Sequence, residues 1–257
     1  MEVEKVNQHI VAWLNAYCEK AGLFGFIIGV SGGIDSAVTS LLCAQTGKKV
    51  LLLNLPIRQT KVEYARSQEH IANLEKRFPN VKSLELNLTN SFESLEQLFP
   101  IETLKNHLAM ANSRARLRML TLYAVGQSQG LLVAGTGNKI EDFGIGFFTK
   151  YGDGGVDLSP IADLTKTQVL ALGKHLNVIE SIHEAKPTDG LWEDGRSDED
   201  QIGASYPELE WAMDFEGDEK QLSERQQEVL QLYRKLNRIN QHKMQAIPVC
   251  EIPKEWF

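Results

Sequence analysis

The stretch Phe24-Gly25-Phe26-Ile27-Ile28-Gly29-Val30-Ser31-Gly32-Gly33-Ile34-Asp35-Ser36 decides the fold. Its first half is a short apolar run of Phe, Ile and Val, which reads as a strand. Ser31-Gly32-Gly33 breaks the run, and a helical pattern continues through Leu42. Two adjacent glycines let the backbone turn sharply and approach an anion, while the following helix offers free N–H groups and its positive dipole end. Ser31 and Ser36 add hydroxyl donors. Asp35 is the discordant member, because a carboxylate beside a phosphate cradle repels the ligand unless a divalent cation lies between them; Asp35 therefore implies Mg²⁺. The plain alternative is an ordinary glycine-rich helix start with Asp35 near its dipole.

The same alternation extends outward in both directions. Val3, Val6, Ile10, Trp13, Leu14 and Tyr17 recur at three- and four-residue intervals and predict an amphipathic helix before the first strand. Strands are expected at 50–55, 81–88 and 131–134, with helices at 62–78, 104–127, 165–176 and 224–240. This predicts an α/β fold: an open, mostly parallel sheet with helices on both faces. Residues 135–160 turn to Gly and Asp and read as an active-site loop region. Residues 187–203 carry few apolar anchors and read as a stretch that moves or orders on binding.

At 257 residues, with 42% hydrophobic and 24% charged residues, the chain reads as a single globular domain over residues 1–257. A formal charge of -7 argues against nucleic acid as the main partner. Cys18, Cys43 and Cys250 form no CxxC pair, which indicates neither a disulfide framework nor a zinc site. The acidic start MEVEKVNQHI is unlike a signal peptide and no apolar run reaches spanning length, so a cytoplasmic, membrane-free protein is expected.

Two familiar phosphate loops are missing: no GxxxxGK[ST] occurs, and no GxGxxG opens a helix after a strand. SGGxDS after an apolar strand instead resembles the pyrophosphate-binding loop of the N-type ATP pyrophosphatases, whose fold is adenine nucleotide α-hydrolase-like. Gly135-Thr136-Gly137-Asn138-Lys139-Ile140-Glu141 and the stretch GFFTKYGDGG, from Gly146 to Gly155, look like the signature of the NAD synthetases. The resemblance covers essentially the whole chain, and the absence of room for an amidohydrolase domain points to the ammonia-dependent type. A tRNA-thiolating or GMP-forming pyrophosphatase, a nucleotide-sensing module and a scaffold are the competing readings.

Resemblance to the NAD synthetases implies amidation of deamido-NAD with ammonia, using ATP as co-substrate and Mg²⁺, in a homodimer. By the same resemblance Asp35 and Glu141 match the family's Mg²⁺ ligands, with Asp142 in reserve because this chain has one residue more between Glu141 and Gly146 than many relatives. Gly137 and Asn138 depart from the Asp and His that some relatives carry. Gly29, Ser31, Gly32, Gly33, Asp35 and Ser36, together with Thr136, Lys166 and Thr188, resemble ATP contacts. Arg116, Lys150, Asp157, His242 and Lys243 resemble contacts to deamido-NAD; of the alternating Arg114, Arg116 and Arg118, which cannot share one helical face, Arg116 is preferred over Arg114. From the residues themselves, the strand end at 52–55 suits adenine, Arg58 lies where it reaches toward a phosphate or simply toward solvent, and Asp153 is the expected holder of ammonium.

Overall fold

The computed structural model describes residues 1–185 and 197–257. In chain order the first half contains α1 (Val3–Ala21), β1 (Gly25–Gly29), α2 (Ile34–Gln45), β2 (Lys49–Asn54), α3 (Lys61–Arg77), β3 (Val81–Glu85), α4 (Thr89–Glu96), α5 (Ile101–Leu104), α6 (His107–Gln129) and β4 (Leu131–Val133). A π-helix (Lys139–Ile145) comes next, then α7 (Lys166–His175), α8 (Glu180–His183), α9 (Asp198–Ile202), α10 (Tyr206–Asp214) and α11 (Glu224–Met244).

The sheet is parallel throughout, in the order β3-β2-β1-β4. Gly25 of β1 pairs with Lys49 of β2 on one side and Leu131 of β4 on the other. The chain therefore winds outward from β1 to β3 and returns across to β4. At that reversal the loops leaving β1 and β4 diverge, which opens a crevice beyond their carboxyl ends.

Alternate residues of β1 serve opposite faces, as the pleat requires. Phe26 and Ile28 pack with Leu14 of α1, Leu41 of α2 and Leu172 of α7. Ile27 points the other way and packs with Leu53, Val133 and the α6 residues Leu122 and Val125. A separate apolar cluster joins Ile140 and Ile145 of the π-helix to Tyr206 and Leu209 of α10 and to Val229 and Leu230 of α11.

The predicted strands and long helices all form, with ends shifted by a few residues. Two features differ from expectation: residues 139–145 are helical rather than loop, and α4 and α10 add turns that the apolar pattern did not delineate. At the end of the 187–203 stretch Asp198–Ile202 form the capped helix α9. The expectation for 187–196 lies outside the described residues. Among the described residues no helix is long and apolar enough to cross a membrane.

Candidate active site

The loop between β1 and α2 folds on itself through its serines. The Ser31 amide donates to Ser36 Oγ at 3.2 Å, the two hydroxyls lie 3.1 Å apart, and the Gly33 amide donates to Ser31 Oγ at 3.2 Å. Gly32 has φ +86°, and a Cβ there would meet the Glu63 carbonyl oxygen at 2.8 Å. Only glycine fits this turn. The cradle leads directly into the first turn of α2, whose N–H groups have no intrahelical acceptor.

Beside the cradle lies a buried ionic cluster. Lys166, the first residue of α7, is 3% exposed and donates to Asp35 Oδ2 at 2.5 Å and to Glu141 Oε1 at 3.0 Å. The Tyr206 hydroxyl also donates to Glu141 Oε1, at 2.5 Å, and the lysine nitrogen sits 4.8 Å from the Tyr206 ring centroid. Burial by itself would discharge the lysine, but the two carboxylates more than reverse this and hold its pKa above the ordinary value. Burial likewise raises the Asp35 pKa. For Glu141 burial pulls the same way, yet Lys166 and the tyrosine hydroxyl outweigh it and the carboxyl lies below its ordinary range.

Asn138 organises this cluster from beneath. Fully buried, it caps the π-helix by accepting from the Ile140 and Glu141 amides, each at 3.1 Å, and donates to Asp35 Oδ1 at 3.3 Å. Gly137 leaves room for its neighbour in the cleft, since a Cβ there would fall 2.0 Å from Asp142 Oδ2. Burial among Glu141, Asp153 and Asp35 pushes the Asp142 pKa up to about 8.

A cavity of about 640 Å³ connects these parts. Its apolar wall includes Leu53, Leu55, Met119, Leu122 and Val156. Gly29, Ser31, Gly32, Gly33, Asp35, Ser36, Thr136, Glu141, Lys166, Asp153 and Lys243 all reach it. Asp153, an exposed residue of the lining, accepts from the Thr149 amide at 3.0 Å, and the surrounding protein raises its pKa. Several polar atoms of the lining residues are buried without a hydrogen-bond partner: Arg66 Nε, His183 Nε2 and Gln201 Nε2. Such atoms are what a bound ligand or ordered water satisfies.

Other sequence-predicted residues stand away from this lining. Arg58 is exposed and committed to Glu96 and Glu93, at 2.7 and 3.3 Å. Both Asp157 carboxylate oxygens are used, one by the Val133 amide at 2.8 Å and the other by the Tyr123 hydroxyl at 3.0 Å. Arg116, Lys150 and His242 come together on an outer patch: Arg116 donates to the Lys150 carbonyl at 3.2 Å, and Lys150 to the His242 carbonyl at 2.6 Å. Lys243 donates to the Phe148 carbonyl at 2.8 Å and lies between that patch and the cavity. Thr188 is outside the described residues.

Sequence reasoning missed Tyr206, Arg66 and Arg118. Tyr206 carried a usable signal, because Ser205 and Glu208 form a capping box that marks a helix start beside it. For Arg118 the signal was present but unresolved, since the alternation of three arginines does not say which face meets the sheet.

The open parallel sheet flanked by helices, with a serine- and glycine-lined loop after its central strand, has the adenine nucleotide α-hydrolase-like fold. The family profile described as NAD synthase matches residues 6–247. The NH(3)-dependent NAD(+) synthetase of Alkaliphilus metalliredigens is 37% identical over 98% of this chain and 100% of its own length. Among solved structures, the NMN synthetase of Francisella tularensis superposes with a TM-score of 0.86 at 32% identity, covering 98% of this chain and all of its own. The NH3-dependent NAD synthetase of Campylobacter jejuni, at 23% identity and a TM-score of 0.79 over 98% and 100%, shares the fold. The chain belongs to the NAD synthase family.

Proposed function

We propose that this chain is an ammonia-dependent NAD synthetase, a ligase that amidates deamido-NAD with ammonia at the expense of ATP. The observation that carries this reading is one cavity holding both a phosphate cradle and the Lys166–Asp35–Glu141 cluster. A carboxylate is a poor acyl donor, so the substrate carboxylate attacks the α-phosphorus of ATP, forming an acyl adenylate and releasing pyrophosphate. Ammonia then adds to the acyl carbon, AMP leaves with the bridging oxygen, and the amide and a proton remain.

The protein's work is positioning and charge balance. Ser31, Gly32, Gly33, Ser36 and the start of α2 hold the departing pyrophosphate, and Lys166 offers a cation beside it. Thr136 and Gly29 border the nucleotide. Asp153 holds ammonium through its carboxylate and accepts the proton that ammonia must lose. Asp35 and Glu141 would hold Mg²⁺: their oxygens converge on a single cation, the lysine nitrogen, and two carboxylates with phosphate oxygens suit this ion. Among the described residues no group of three or more metal-binding side chains gathers, so phosphate would complete the site. Bound Mg²⁺ supplies neutralisation of charge on the leaving group. Further parts of the proposal are a single domain over residues 1–257, a cytoplasmic homodimer, and deamido-NAD reaching the Arg116–Lys150–His242 patch near the subunit interface.

Incubation with ATP, Mg²⁺ and ammonium is expected to release pyrophosphate and form NAD only when deamido-NAD is present. Release driven by tRNA or a xanthine nucleotide would defeat the reading. The likeness to an NMN synthetase favours a second one, with nicotinate mononucleotide as the acceptor. The same assay separates them through the kcat/KM ratio of the two acceptors.

A further inference from the structure

Arg118 lies on α6 between Ala115 and Leu122, and all of these residues line the cavity. Its Nε donates to the Leu55 carbonyl at 3.0 Å, just beyond the end of β2. That bond fixes the plane of the guanidinium and leaves the two terminal nitrogens to be satisfied elsewhere. Among the described residues no carboxylate stands within ion-pairing distance of it, whereas Arg58, Arg225 and Arg234 each hold a glutamate at 2.7 Å. Glu63 and Asp153 bear on Arg118 only as more distant charges. Removal from water, with the Arg114 guanidinium near, lowers its pKa to about 10, which still leaves it charged. Arg118 is half-buried, and a partly desolvated cation without a counter-ion gains from an anion entering the cavity. Arg66, with its own unpartnered Nε, faces the same cavity.

We propose that Arg118 binds an anionic oxygen, phosphate or carboxylate, of a ligand lying between the apolar wall and the phosphate cradle. A guanidinium fixed at one nitrogen presents its remaining donors in the planar fork that matches such groups. The assignment deepens the synthetase reading and rests on it for the identity of the ligands, since ATP and deamido-NAD both carry these oxygens. Arg118 is thus a substrate-binding residue that neither the phosphate motif nor the GFFTKYGDGG stretch announces.

The test is calorimetric titration of the wild-type protein, Arg118→Met and Arg118→Lys with MgATP and, separately, with deamido-NAD, alongside melting temperatures. The methionine variant is expected to lose affinity by roughly 10- to 100-fold, with lysine restoring part of it and the melting temperature little changed. A loss for MgATP alone assigns an ATP phosphate, a loss for deamido-NAD alone assigns an oxygen of the dinucleotide, and a loss for both that lysine partly restores assigns a cation shared by the two. Unchanged affinity for both would overturn the proposal. So would a parallel loss that tracks the melting temperature and that lysine does not restore, because the arginine would then only tether α6 to β2. If the wild type bound MgATP but made no NAD, the synthetase reading would fail, and the MgATP titration would still decide the role of Arg118.

Discussion

Lys166 stands 2.5 Å from Asp35 and 3.0 Å from Glu141 in a place that is 3% exposed, so its charge is what lets two acids share that space. Replacing it with methionine leaves like charges facing each other in a poorly solvated pocket. Breaking a buried pair of this kind costs roughly 3–5 kcal/mol, and Lys166→Met is expected to lower the melting temperature accordingly; Mg²⁺ should recover part of the loss by taking over as the shared cation. A neutral effect on stability would mean that the acids are protonated or apart. Gly32→Ala makes a different test. The alanine must adopt φ +86° with its methyl 2.8 Å from a backbone oxygen, so more than about 1 kcal/mol of stability and the binding of ATP should both be lost, as read by denaturant melts and calorimetry. Retained ATP affinity would mean that this loop does not hold the nucleotide. Gly32 was legible in the sequence because its chemistry is local: a turn that demands glycine. The Asp35–Lys166 contact was not, since 131 residues separate its members and a single lysine carries no signature of burial.

The π-helix shows how an element can hide from pattern reading. Seven residues, Lys139–Ile145, wind so that the Gly146 amide bonds to the Glu141 carbonyl five residues back, a spacing that gives no 3.6-residue apolar period. With glycines on both sides the stretch read as loop. Its start depends on Asn138, which accepts from two amides and also restrains Asp35. Asn138→Ala is expected to cost about 1–2 kcal/mol and to raise the KM for ATP, because Glu141 and Asp35 lose their common anchor. A change in stability without a change in KM would confine Asn138 to capping. The nine-residue α10 escaped for another reason: its apolar stripe is too short to outweigh Pro207, and only the Ser205–Glu208 box marks it.

At the scale of the whole molecule, the alternation of strands and helices announced a parallel sheet, but periodicity says nothing about strand order. The crevice depends on that order, because β1 has β2 on one side and β4 on the other. The buried side of the sheet also holds His70, whose Nε2 lies 2.8 Å from Ser40 Oγ. Burial, with a smaller contribution from Arg77, lowers its pKa from 6.5 to about 4. The folded protein therefore requires the neutral ring, while the unfolded chain takes up a proton below pH 6.5. This contribution is complete above pH 6.5 and disappears as the pH falls to about 4, a swing of about 3 kcal/mol. Denaturant melts between pH 7 and pH 4 should show a smaller loss of stability for His70→Asn than for the wild type. Equal slopes would indicate that the ring is protonated in the fold. The outer patch of Arg116, Lys150 and His242 also belongs to this scale, since residues far apart in sequence meet there outside the cavity lining.

If the cavity sets a substrate carboxylate against the α-phosphorus of ATP, isotope transfer reports it directly. Deamido-NAD labelled with ¹⁸O in its nicotinate carboxylate, turned over with ATP, Mg²⁺ and ammonium, should yield AMP carrying one labelled oxygen, as read by mass spectrometry. Unlabelled AMP formed together with NAD would contradict it.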